Sequence, residues 1–342
     1  MLFRTRSYAR AGLLGNPSDG YYGKTIAFSI EDFPVDVTIY ESPELKIEPG
    51  DVDMNHFASL LELVSTVQHY GYYGGVRLIK ATIKVFAHYC HDAGIELPDR
   101  NFTIRYCSTV PRLVGLGGTS AICTATFKAL MKFYDVTTIP FELIPTLCWR
   151  AESEELGIQC GMQDRVIQVY EGMVFMDFAE KHFVANNHGR YEWLDTTRLP
   201  RLFLAYDPNR AEFSGIYHRK LRVLFEEQNK EIVTAMTEFA DLAQQGRDAI
   251  VAGNMNLLPS LINANFDLRH RVFKVSPENV RMVQTARQSG ASAKFAGSGG
   301  AIVGTYEDER MYLRLVRDLQ AINCTVLRPC VAPPQQADRF PG

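Results

Sequence analysis

Pro111-Arg112-Leu113-Val114-Gly115-Leu116-Gly117-Gly118-Thr119-Ser120-Ala121 places three glycines, a threonine and a serine within six consecutive residues. It follows a β-prone segment, residues 102–107, and precedes an apolar helical pattern that runs to about residue 134. Glycine lets a backbone approach a ligand closely, and the first turn of a helix leaves its N–H groups unpaired. Those donors and the positive end of the helix dipole suit a phosphate. Thr119 and Ser120 add hydroxyls for a phosphate oxygen or Mg²⁺. The stretch reads as the triphosphate cradle of a nucleotide-using enzyme. Taken alone, it reads equally as an ordinary glycine-rich loop with Thr119 as the helix N-cap. It is not a Walker loop, because the nearest candidate, ending in Gly23-Lys24-Thr25, has Ser18 where the first glycine belongs. Nor is it a dinucleotide fingerprint, because Ser120 follows Gly115 and Gly117 where the last small residue is required.

The chain of 342 residues is long enough for two sub-domains that share a cleft. Its formal charge of −3 leaves no electrostatic footprint for nucleic acid. No apolar run suggests a membrane span. Arg4, Arg6 and Arg10 within β-like sequence argue against a signal peptide. Seven cysteines, an odd number without close pairing, point to reduced thiols and a cytoplasmic setting. No zinc spacing is present.

Residues 2–14 read as a strand entering the turn Gly15-Asn16-Pro17-Ser18-Asp19-Gly20. Strands are expected over residues 25–30 and 35–40, and this antiparallel opening argues against a doubly wound parallel sheet. Helical spacing marks residues 57–70 and 76–89. The aromatic, glycine-rich connector between them, Tyr70 to Gly75, could flank a purine base or simply turn the chain. A helix is expected over residues 141–156. Glu152 lies near its end, and Asp164 follows a glycine-bounded turn. Such acids can form a solvated helix face; alternatively, one holds Mg²⁺ and the other takes a proton from an attacking hydroxyl. Strands at 173–178 and 201–206 precede a mostly helical region, residues 214–287, with breaks near Gly253 and Pro277. A second glycine-rich turn, Lys294 to Ala301, leads to a helix over 306–319 and a strand over 324–327. The tail after Cys330 reads as loose.

In order, these features resemble the GHMP kinase superfamily over nearly the whole chain. Arg10-Ala11-Gly12-Leu13-Leu14-Gly15-Asn16-Pro17-Ser18-Asp19 is similar to the first family motif, R-V-N-L-I-G-E-H-x-D in galactokinases. Residues 111–121 resemble the second, P-x-x-x-G-L-[GS]-S-S-A. Ala151-Glu152, Gly157, Cys160-Gly161 and Asp164 match the galactokinase pattern A-E-x-x-x-x-G-x-x-C-G-x-x-D without a gap, and residues 294–300 resemble the third motif. Three departures stand out: Gly12 for asparagine, Asn16-Pro17 for Glu-His, and Gly118-Thr119 for two serines. Within the superfamily, residues 12–19, 72–78, 265–269 and 294–300 resemble the glucuronokinase family.

The resemblance implies an α+β, two-lobed fold. It has an N-terminal ribosomal S5-like lobe with a mixed sheet (1–195), a ferredoxin-like C-terminal lobe (196–332) and a flexible tail (333–342). It implies ATP and Mg as cofactors and a sugar or uronic acid as substrate, with D-glucuronate phosphorylated at its anomeric hydroxyl. Another sugar, or a non-catalytic sensor on the same fold, stays open. Asp164 is implied as base with Arg10 beside it. Pro111, Gly115, Leu116, Gly117, Gly118, Thr119, Ser120 and Ala121 are implied to bind ATP, and Thr119 and Glu152 to hold the metal. Ser18, Asp19, Asp164, Gly297, Ser298 and Gly299 are implied to contact the substrate. Arg112, Arg165, Arg269 and Arg271 are candidate partners for its carboxylate. No nucleic-acid or membrane partner is expected, and a monomer is the starting expectation.

Overall fold

A computed structural model describes residues 1–50, 53, 57–70, 74–197, 199–208 and 215–335. In chain order these contain β1 (Leu2–Leu14), β2 (Lys24–Glu41), β3 (Lys46–Ile47), α1 (Leu60–Tyr70), α2 (Gly75–Asp92), β4 (Phe102–Ser108) and α3 (Gly118–Tyr134). Next come α4 (Ile144–Ser153), α5 (Gln163–Tyr170), β5 (Met173–Asp177), α6 (Glu180–Asn186) and β6 (Arg190–Trp193). The remainder is β7 (Leu202–Tyr206), α7 (Gly215–Glu226), α8 (Lys230–Ala252), α9 (Leu258–Val272), α10 (Pro277–Gln288), β8 (Lys294–Phe295), β9 (Ala301–Thr305), α11 (Glu309–Gln320) and β10 (Thr325–Leu327). None of these helices is long and apolar enough to cross a membrane.

The first sheet is built on one long hairpin. β1 runs antiparallel to β2 from Leu2 opposite Tyr40 to Leu14 opposite Ile26. The other edge of β2 pairs with β4 over Val35–Glu41 and with β5 over Lys24–Phe28, both antiparallel. β3 joins β4 in parallel, so the sheet is mixed. β1 alternates buried and exposed in its first half, then is buried on both faces from Ala9 to Leu14. That change marks where α3 and α5 cover one face and α8 and α9 the other. α3 is buried almost all round, from Ser120 to Phe133. Its one buried lysine, Lys128, is neutralised by Glu171 at 2.8 Å.

The second sheet has the order β10-β7-β9-β8, all antiparallel. Numbered by their sequence order, its strands lie 4-1-3-2, with helices in the first and third connections and a turn in the second, which is the ferredoxin-like arrangement. The two-lobed α+β expectation holds.

Four local readings differ. The strands expected at 25–30 and 35–40 are one strand, β2, whose register shifts opposite Tyr8 and Ala9, near Pro34. Proline donates no ladder hydrogen bond, so the irregularity falls beside it. The helix expected over 141–156 is a 3₁₀ turn followed by α4, ending at Ser153. α5 was not anticipated at all. The chain after Cys330 is not loose at its start. Val331 bridges Ile30, Ala332 N–H donates to Ser29 O at 3.2 Å, and Gln335 N–H donates to Tyr170 O at 2.8 Å. Residues 336–342 lie outside the described part.

Candidate functional site

A cleft of about 570 Å³ lies where the first glycine-rich turn meets the turn after β8. Gly115 and Gly117 both adopt left-handed backbone, with φ of 72° and 75°. Gly117 is the N-cap of α3, and the helix begins at Gly118, so Thr119 is a first-turn residue and not the cap. The two turns touch backbone to backbone. A Cβ on Gly115 would stand 2.7 Å from Gly299 O, and one on Gly297 would collide with Gly115 O. Glycine is therefore required at both positions by close approach.

Arg10, near the buried end of β1, joins the elements of the site. Its Nε and Nη2 donate to the two oxygens of Asp164 at 2.7 and 2.9 Å, and Nη1 donates to Gly115 O at 2.6 Å. Asp164 sits in the first turn of α5, where the helix dipole favours negative charge. Its side chain keeps 17% exposure, whereas that of Arg10 keeps 6%. Gln168, one turn further along α5, donates to Gly117 O at 2.7 Å. Asp164 and Gln168 thus both face the phosphate-type turn.

Asp19 lies in the short 3₁₀ turn Ser18–Gly20 and is buried. It accepts a hydrogen bond from Gln163 N–H at 3.0 Å. Burial pushes its carboxyl up to about 6, against the Gln163 hydrogen bond and with the help of the Asp164 charge. The Gln163 side-chain oxygen is also buried and has no hydrogen-bond partner among the described residues.

Glu152, near the end of α4, is fully buried. One of its oxygens accepts from both Arg165 Nε, at 2.9 Å, and Arg165 Nη2. The other, Oε1, has no partner among the described residues. An unsatisfied buried carboxylate oxygen is costly, and a hard cation would satisfy it. No group of three or more His, Cys, Asp or Glu that could hold a metal occurs among the described residues, so a cation here would draw further ligands from phosphate and water.

Lys294 is buried between the lobes. Its ammonium donates to Gly12 O and Asn16 Oδ1, each at 2.5 Å. Burial, then the charges of Arg269 and Arg10, hold it well below the usual lysine range. Arg269 donates to Gly297 O at 3.1 Å and Ser298 O at 2.8 Å, bracing the second turn.

Of the sixteen residues implied to act in catalysis or to bind ATP, metal or substrate, twelve line this cleft: Arg10, Asp19, Pro111, Gly115, Leu116, Gly117, Gly118, Thr119, Glu152, Asp164, Gly297 and Ser298. Four do not. Ser18 is buried, and its hydroxyl is used within its own turn, bonding Lys24 O at 2.9 Å and Lys24 N–H at 3.1 Å. Ser120 is buried and donates to Gly117 O at 2.9 Å, closing the helix start. Ala121 is buried in the core, and Gly299 is buried within the second turn, its carbonyl approaching Gly115. Of the candidate cations, Arg271 is outside, paired with Glu238 at 2.5 Å. Arg165 is taken by Glu152. The aromatic connector around Tyr72 and Tyr73 lies outside the described residues.

The sequence reading missed Gln163, Gln168, the Glu152–Arg165 pair and Lys294 as a tie between the lobes. Asp164 and Gln168 are four apart, and that spacing becomes legible only once residues 163–170 are known to be helical.

Residues 77–172 match the GHMP kinases N terminal domain, and residues 247–318 match the GHMP kinases C terminal domain. The chain is 44% identical over 308 residues to probable glucuronokinase 2 of Arabidopsis thaliana, covering 88% of this chain and 84% of that protein. It is 42% identical over 303 residues to glucuronokinase 1 of the same plant, covering 87% and 83%. Among solved structures, galactokinase from Lactococcus lactis complexed with galactose aligns with a TM-score of 0.76 at 14% identity, covering 96% of this chain and 93% of that one. That likeness bears on the fold alone. With both domains matched and these identities spanning most of its length, the chain belongs to the GHMP kinase family, on its glucuronokinase branch.

Proposed function

We propose that this protein transfers the γ-phosphoryl group of ATP to the anomeric hydroxyl of D-glucuronate, releasing ADP and the 1-phosphate. The observation that carries the reaction is the Asp164 carboxylate, gripped through both oxygens by Arg10 beside the Gly115–Gly117 turn. The substrate rests on the identity to glucuronokinases over most of the chain.

In this reading the unpaired N–H groups at the start of α3 receive the triphosphate, with the left-handed glycines allowing its close approach. The sugar oxygen O1 attacks the γ-phosphorus, the bond from phosphorus to the β–γ bridging oxygen breaks, and ADP leaves. The O1 proton passes to Asp164. Arg10 orients that carboxylate and opposes negative charge on the transferring group. Asp19 and the unpartnered oxygen of Gln163 accept hydrogen bonds from sugar hydroxyls. Mg²⁺, when bound, would supply positive charge against the triphosphate. Glu152 Oε1 and the Thr119 hydroxyl are the groups that would hold it, with phosphate and water completing the shell. Most of the rate comes from positioning and electrostatics, as in other phosphoryl transfers.

We divide the chain at residue 195, the first sheet drawing on the segment before it and the second on residues 196–332. A monomer belongs to the same proposal. None of the seven cysteines forms a disulfide, in keeping with a cytoplasmic setting.

The test is ADP release by purified protein given ATP, Mg²⁺ and a panel of glucuronate, galacturonate, galactose, glucose, arabinose, homoserine and mevalonate. Preference for glucuronate, with the 1-phosphate identified by ³¹P NMR, supports the proposal. Turnover of only a neutral sugar rejects the substrate. ATP binding without turnover of any acceptor rejects the enzyme reading in favour of a sensor.

A further inference from the structure

A uronic acid carries a carboxylate that a neutral hexose lacks, and an enclosed carboxylate without a cation is costly. An arginine fork is the side chain best matched to it. Six arginines line the cleft: Arg10, Arg77, Arg112, Arg165, Arg222 and Arg269. Arg10 and Arg165 hold Asp164 and Glu152. Arg269 spends two of its nitrogens on the carbonyls of Gly297 and Ser298. Arg112 opens the phosphate-type turn. Arg77 lies in the first turn of α2, beside Gly75, which touches Tyr106 of the strand leading into that turn. Both therefore stand at the phosphate end.

Arg222, on α7, stands elsewhere. Its Nη2 donates to Gly20 O at 3.2 Å, and its guanidinium lies 5.7 Å from the Tyr21 ring centre. Gly20 follows Asp19, and Asp19 accepts from the N–H of Gln163, the neighbour of Asp164. The guanidinium is thus linked to the base through the sugar-facing acid. Its ion pair with Glu226 is long, 3.8 Å, with the two side chains 40% and 64% exposed, so an incoming carboxylate can replace it. In a pyranuronate, C1 and C5 flank the ring oxygen, so a site that presents O1 to Asp164 keeps the carboxylate along the same edge of the ring.

Position 16 does not supply this recognition. Asn16 is buried, with its side-chain oxygen taken by Lys294 and its amide 3.4 Å from Gly297 O. The departure from Glu-His at 16–17 removes a carboxylate from the sugar side and adds no cation.

We propose that Arg222 receives the substrate carboxylate and sets the preference for a uronic acid over the matching neutral sugar. This rests on the glucuronate kinase reading above. The experiment compares wild type, Arg222→Gln and Arg222→Lys for the KM of glucuronate, the KM of ATP and turnover of glucose, with thermal unfolding as a check on folding. Loss of a charge-assisted hydrogen bond predicts a rise in glucuronate KM of about ten- to a hundredfold in R222Q. The ATP KM and the activity on glucose should stay within about twofold on the same grounds, and R222K should be intermediate, because it keeps charge without the fork. An unchanged glucuronate KM in folded R222Q overturns the assignment while leaving the kinase reading intact. So does an equal loss on glucuronate and glucose, which would mark a structural role. Wild-type protein that phosphorylates only neutral sugars overturns the kinase reading on glucuronate, and this subsite with it.

Discussion

Lys294, in the second sheet, donates to Asn16 Oδ1 in the turn after β1 at 2.5 Å, and both residues are buried. The same ammonium holds Gly12 O at 2.5 Å. One buried side chain thereby ties the third glycine-rich motif to the first, across the line where the two lobes meet. Replacing it with Met keeps much of the volume but leaves two buried acceptors unpaired. Each costs about 1–3 kcal/mol, offset in part by relief of a buried charge. Lys294→Met should therefore lower unfolding stability by about 1–3 kcal/mol in urea titrations. A midpoint equal to wild type would show that the lobes are held together without this tie.

Asp164→Asn keeps the shape of the base and removes its proton affinity. General-base losses of this kind run to about 10²–10⁴-fold in kcat. ATP affinity, measured by calorimetry, should change little, because the phosphate turn contributes its own backbone donors. Turnover close to wild type would remove Asp164 from the proton-transfer step.

Asp19 titrates near 6 because it is buried. Below that value it is neutral and can no longer act purely as a hydrogen-bond acceptor for a sugar hydroxyl. The sugar kcat/KM should therefore fall on the acid side of about pH 6, and Asp19→Asn should remove that limb of the profile. Stability should run the opposite way. The folded state holds the proton more tightly than the unfolded chain, so the contribution of Asp19 is complete below its unfolded pKa and is lost as pH rises through about 6. An acid limb that survives D19N belongs to another group.

Glu152 serves two purposes in this reading, and Glu152→Gln should separate them. The buried Arg165 loses its counter-charge, for which about 3–5 kcal/mol of destabilisation is typical. The Mg²⁺ concentration giving half-maximal rate should also rise, and chelation with EDTA should abolish turnover in wild type and variant alike. A variant with lowered stability and wild-type Mg²⁺ dependence would leave Glu152 as the counter-ion of Arg165 alone.

The glycine-rich turns, most of the strands and helices and the acid spacing were legible in the linear chain. Each depends on neighbours close in sequence: left-handed angles that glycine tolerates, apolar periods, and a gapless family pattern from Ala151 to Asp164. Harder to read were the elements whose composition conflicts with their burial. α5 contains Gln163, Asp164, Arg165 and Gln168, polar residues that look like a surface turn, yet most of the helix is buried. Its polarity is compensated by partners more than a dozen residues away, among them Glu152, Arg10 and the carbonyl of Gly117.

By itself, then, the sequence determined the family through its motifs, the two-sheet architecture through that resemblance, and, through local backbone preference, the residue types of a phosphate-binding turn with an acid nearby. Only the tertiary structure decided which polar groups face the cleft. Ser18 and Ser120 carry suitable hydroxyls but spend them inside their own turns. Gln163 and Arg222, inconspicuous in the chain, line the cleft. The physical reason is that a buried polar group must find a partner, and long-range packing chooses whether that partner is the backbone, another side chain or a ligand.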